Sequence, residues 1–144
     1  MYKFESSLFI NRPQQEVFDY VTNPANSAKW RSGTQSSEWT SDGPPGVGST
    51  LKVVTSLLGR KIEVEARVTG CDPPNQFSIK AISGPIPFES TTMFASQGDG
   101  TLLTDTGQAE IGGFFKLAEG LVGKQLEKQS EAEYAALKLL LEAG

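Results

Sequence analysis

Asp105 is the residue best placed to do chemistry. It lies in the stretch Leu102-Leu103-Thr104-Asp105-Thr106-Gly107, with Leu103, Ala109 and Ile111 on its parity. If those three face inward on a strand, Asp105 does too. An enclosed carboxylate is costly unless it is paired or protonated. Its pKa then rises, which suits a general acid, a general base or a ligand anchor. If Leu102 and Thr104 define the inner face instead, Asp105 meets water. Gly107 would leave room for a ligand beside an inward Asp105. Ser90 and Thr92 share parity with Phe88 and Phe94. Inward hydroxyls there can bond a ligand carbonyl, although strands favour threonine on propensity alone. Trp30, Val64, Phe77, Ile79, Phe88, Phe94, Phe115 and Leu121 are candidates for an apolar wall, and such side chains fill an ordinary core equally well. Trp30 ends a short helix and is a candidate gate for the mouth of a cavity.

Other chemistries are excluded by composition. The chain has no histidine, so histidine bases, triads and metal ligands are ruled out. Its one cysteine, Cys71, forms no internal disulfide or multi-cysteine metal site and reads as an ordinary free thiol. The acidic residues form no cluster with metal-ligand spacing. The glycine-rich loop 43–48 lacks the lysine and hydroxyl of a phosphate cradle. No metal or cofactor is therefore expected. With 13 basic and 17 acidic residues the net charge is -4, which disfavours a nucleic-acid partner.

The elements that must position these residues follow from periodicity. The 144 residues predict one domain over 1–144. Lys3–Ile10 reads as a strand, and Pro13 opens a helix striped by Val17, Phe18 and Val21. Asn23 caps a second short helix that ends near Trp30. Six further strands follow over 35–40, 50–58, 60–69, 76–83, 88–96 and 101–111. The strand 60–69 alternates most clearly, with Ile62, Val64, Ala66 and Val68 on one face and Lys61, Glu63, Glu65 and Arg67 on the other. Phe114–Glu142 reads as one amphipathic helix, its apolar positions including 121, 122, 126, 137, 140 and 141. Glu119, Glu127, Glu131 and Glu133, with Lys116, Lys124 and Lys128, read as its solvated face. Gly120 and Gly123 would let a strand or a ligand approach its backbone. This long helix is the one element large enough to cover the apolar face of the sheet.

The order of elements, with the stretches INRPQQEVFDYVTNPANSAKW (10–30), GPPGVGST (43–50), VTGCDPPNQF (68–77) and GDGTLLT (98–104), resembles the START-like helix-grip superfamily (SRPBCC), particularly its polyketide cyclase/dehydrase-like branch. The resemblance implies an α+β helix-grip fold: a seven-stranded antiparallel sheet wrapped around a long C-terminal helix, with two short helices after strand 1. It also implies a cavity for a hydrophobic or amphipathic small molecule, such as a lipid or polyketide. It carries over no catalytic residue, since the superfamily shares no catalytic motif.

A binding module is therefore the first functional expectation. A cyclase- or dehydratase-like enzyme using a pocket carboxylate is the alternative, weakened by the missing histidine. A protein-partner role comes third. The N-terminal residues show no signal-peptide pattern and no apolar run is long enough to span a bilayer, so no integral membrane segment is expected and the expected location is the cytoplasm. The sequence leaves oligomeric state open.

Overall fold

The computed structural model describes residues 2–111 and 119–143. Strand β1 (Tyr2–Ile10) leads into helix α1 (Gln14–Val21), a 3-10 turn (Pro24–Asn26) and the single-turn helix α2 (Ser27–Trp30). Six strands follow: β2 (Thr34–Trp39), β3 (Thr50–Leu57), β4 (Arg60–Asp72), β5 (Gln76–Ser83), β6 (Phe88–Gln97) and β7 (Gly100–Ala109). Helix α3 (Glu119–Ala143) closes the described chain. The strands form one antiparallel sheet in the order β1-β7-β6-β5-β4-β3-β2. This is the helix-grip architecture. Within the described residues, no helix is long and apolar enough to cross a membrane.

Local chemistry explains the elements. The Asn23 side chain accepts a hydrogen bond from the Ala25 amide at 3.1 Å, relieving a backbone donor at the start of the 3-10 turn. In β4, Ile62, Val64, Ala66 and Val68 are buried while Lys61, Glu63 and Arg67 are exposed. Two register shifts in β4, at Glu65/Ala66 and Val68/Gly70, interrupt its pairing with β5. Such bulges bend a strand and sharpen its twist, which helps a sheet curl around a helix.

Helix α3 turns Val122, Leu126, Tyr134, Leu137 and Leu141 toward the sheet. Its C-terminal end is tied to the β1–α1 connection. Arg12 donates to the Glu142 carbonyl at 2.8 Å, the Asn11 amide donates to the Glu142 carboxylate at 2.8 Å, and Lys138 donates to the Phe9 carbonyl at 2.9 Å. The helical face expected from sequence needs correction. Leu121 is 64% exposed and Leu140 44% exposed, while Glu133, expected on the solvated face, is 6% exposed.

The buried apolar side chains fall into two clusters. The first gathers Ile10, Val17, Phe18, Trp30, Phe94, Leu103, Tyr134, Leu137 and Leu141, with Leu8, Cys71 and Phe77 packed against it. The second gathers Ile62, Val64, Ile86, Ala109, Ile111 and Val122, with Tyr2, Ala81, Phe88 and Leu126 against it.

Candidate functional site

Register places a belt between those two clusters. On β7 the inward series runs Leu103, Asp105, Gly107, Ala109, and only its ends belong to the clusters. On β6 the partners are Phe94, Thr92, Ser90 and Phe88, again with cluster members at the ends alone. On β5 Phe77 and Ala81 flank Ile79, and on β1 Leu8 and Tyr2 flank Ser6 and Phe4. Ser90, Thr92, Ile79, Ser6 and Phe4 are only half-buried. A continuous apolar core would leave no such strip of hydroxyls across its middle.

Asp105 lies in this belt, 8% exposed. It accepts from the Tyr134 hydroxyl on one carboxylate oxygen and from the Thr92 hydroxyl, at 3.4 Å, on the other. Burial pushes the Asp105 carboxyl above its ordinary range. The Tyr134 hydroxyl, the charge of Arg31 and the Thr92 hydroxyl pull it back only in part. Burial also raises the Tyr134 hydroxyl, and the neighbouring Asp105 carboxylate adds to the effect. The phenol therefore remains a donor across the working pH range.

Beyond Tyr134 sits a charged node. The Arg31 guanidinium lies 4.3 Å from the centre of the Trp30 ring and 3.3 Å from the Glu133 carboxylate. Ser32 and Gln129 donate to the second Glu133 oxygen at 2.9 and 3.0 Å. The buried carboxylate of Glu133 thus has three side-chain donors, the arrangement a charge at such a position requires. The Trp30 ring rests against that of Tyr134, with centroids 5.7 Å apart.

The residues singled out from sequence are distributed as follows. Asp105, Thr92, Ser90 and Ile79 come together in the belt. Trp30, Phe94 and Phe77 wall it on the side of the first cluster, and Val64 and Phe88 on the side of the second. Trp30 is 5% exposed and so belongs to the interior rather than to a rim. Leu121 points out of the site. Phe115 lies outside the described residues. The room expected beside Gly107 is taken: a Cβ there would lie 2.5 Å from the Phe4 ring and 2.4 Å from the Glu89 carbonyl. Gly123 likewise accommodates the Tyr2 ring of β1, while a Cβ on Gly120 would meet nothing within 4 Å.

Tyr134, Arg31 and Glu133 were not singled out from sequence. Tyr134 had a signal, because it precedes Leu137 by three positions and Leu141 by seven, a helical spacing. Arg31 and Glu133 had none, being 102 positions apart.

Of the described surface grooves, one lies apart from the belt and the other shares Ile79, Ser90 and Gly107 with it. The first runs along α1 and the end of α3, past Pro13, Asp19, Tyr20 and Leu141, and the second crosses the outer face of the sheet past Thr69, Gln76, Ser78 and Thr91.

Comparison with known proteins agrees with this architecture. A START superfamily protein from Mycobacterium smegmatis superposes with a TM-score of 0.82 at 15% identity, over 99% of both chains. The Zhui aromatase/cyclase from a Streptomyces species gives a TM-score of 0.73 at 15% identity, over 97% of this chain and 93% of that one. The di-domain ARO/CYC BexL gives 0.76 at 20% identity, over 99% of this chain and 50% of that one. At such identities the likeness is one of fold. No curated protein sequence matches the chain. The sequence profile described as polyketide cyclase / dehydrase and lipid transport matches residues 1–142. On that match over nearly its whole length, the chain belongs to the polyketide cyclase/dehydrase and lipid-transport family.

Proposed function

We propose that the protein binds a hydrophobic or amphipathic small molecule, of lipid or polyketide type, in the belt between sheet and α3. The observation that carries the reading is the division of the interior. Two apolar clusters flank half-buried Ser90, Thr92 and Ile79 and the buried Asp105. A ligand lying along the belt would bury its chain against Ile79, Phe77 and Phe88, at about 25 cal/mol per Å² of apolar area. The polar groups of the belt would then fix its orientation. Membership of a family named for both cyclases and lipid transport supports this class of ligand.

Native mass spectrometry of freshly purified protein tests the proposal. Co-purification of an apolar molecule at one per chain is the expected result. An empty protein, combined with no thermal shift from a panel of lipids and aromatic polyketides, would overturn it.

A second reading, catalysis on a polyketide-type carbonyl substrate, is favoured by the Asp105–Tyr134 pair. A carboxyl held above its ordinary range beside a phenol can exchange a proton with a bound carbonyl oxygen.

A further inference from the structure

Among the described residues, the Trp30 indole Nε1 has no hydrogen-bond partner, and it is closed off from solvent. The ring that carries it is 5% exposed, packed on Tyr134 and beneath the Arg31 guanidinium. Native proteins pair the great majority of their buried polar groups, and an isolated exception calls for an explanation. A buried donor without an acceptor costs about 1–3 kcal/mol. The size of the indole and its contact with the Arg31 cation favour tryptophan over phenylalanine here, but neither gives its N–H an acceptor.

Each neighbouring group is already matched. Arg31 faces Glu133, Glu133 takes Ser32 and Gln129 as well, and Asp105 takes Tyr134 and Thr92. Among the described residues the indole N–H is the buried donor of this group without a partner; the remaining N–H groups of Arg31 belong to a side chain that is 40% exposed.

We infer that Trp30 Nε1 is a recognition point for the ligand, and that the ligand class is neutral and carries an oxygen acceptor: a ketone, ester or quinone carbonyl on an apolar frame. This rests on the binding reading above and narrows it. A carboxylate ligand fits poorly, because the cation of Arg31 is already paired with Glu133 and Asp105, bonded to the Tyr134 that packs on Trp30, is a second carboxyl nearby. A plain hydrocarbon leaves the indole as it found it.

Three probes of equal chain length distinguish these cases: decane, 2-decanone and decanoate. Their affinities for the wild-type protein and for Trp30→Phe are measured at pH 7 by displacement of a fluorescent apolar dye. The 2-decanone-to-decane affinity ratio should fall about three- to tenfold in Trp30→Phe, the worth of one hydrogen bond between neutral groups. Decanoate should bind the wild type no tighter than decane. In wild-type protein labelled with 15N-tryptophan, the Trp30 indole resonance should move on adding 2-decanone and stay in place on adding decane. This second readout needs no variant, so a misfolded Trp30→Phe leaves the test intact. An unchanged ratio with an unmoved indole resonance overturns the inference while leaving the binding reading standing, as does a clear preference for decanoate. If none of the probes binds, the inference falls, while the binding reading is decided separately by native mass spectrometry and the wider ligand panel.

Discussion

Phe94→Ala should lower the free energy of unfolding by about 3–5 kcal/mol, the usual cost of removing a buried phenylalanine ring. Phe94 is 2% exposed and meets the edge of Phe18 at 5.1 Å between centroids. Its ring thus joins the sheet to α1. Its backbone is engaged as well: the carbonyl accepts from the Gln14 side chain at 2.6 Å, and the amide donates to the Asn75 carbonyl at 2.8 Å. The surrounding side chains, Leu103, Leu137 and Ile10, are held by strand pairing and by α3, so the cavity left by the ring has little means of collapsing. Urea unfolding should show a lower midpoint at unchanged slope. A loss below about 1 kcal/mol would mean that the first cluster is loosely packed, against the burial seen here.

Asp105→Asn should make the protein more stable relative to wild type as pH rises. The sign follows from the direction of the shift. Burial raises the folded-state pKa of Asp105 above that of the unfolded chain. Between the two values the folded protein binds more protons than the unfolded one, so wild-type stability falls as pH rises. The contribution of Asp105 is complete below the unfolded value, about 4, and is lost as pH climbs through the folded value. Each pH unit between the two values is worth about 1.4 kcal/mol. Asparagine cannot ionise, keeps an acceptor for Tyr134 and offers an amide to Thr92. Groups elsewhere titrate alike in both proteins and cancel in the difference. Urea unfolding from pH 4 to pH 8 should therefore show the two proteins close together at the acid end, with the variant gaining above it until pH passes the folded value, where the difference levels off. If the wild type gains on the variant instead, Arg31 and Tyr134 stabilise the carboxylate by more than its burial costs, and the belt is more polar than described.

Much of the fold was legible because two periods are hard to confuse. The alternation of Ile62, Val64, Ala66 and Val68 fixed both the strand and its inward face. The parity of Leu103, Ala109 and Ile111 offered an inward Asp105 as one of two readings, and its 8% exposure and its bond from Tyr134 on α3 decide between them. The long helix was legible as an element but less so as a surface. Leucines at 121 and 140 drew the inner face too wide, and two residues that do face inward, Glu133 and Tyr134, were passed over for their polarity. A charge on a helix reads as solvated until its partner is known, and Arg31 is far away in the chain. The unpaired indole of Trp30 had no sequence signal at all, since it depends on what packs around the ring.

The central claim is that the belt between the two clusters can hold a guest, and Ser90→Leu tests it most directly. Ser90 pairs with Ile79 and Gly107 in the middle of the belt and is half-buried. If the belt is open to a ligand, the added leucine occupies that space. Unfolding stability should then be equal or higher, and capture of the apolar dye should be lost. If the protein's own side chains already fill the belt, leucine should cost about 1–3 kcal/mol through overpacking, and that result would contradict the account.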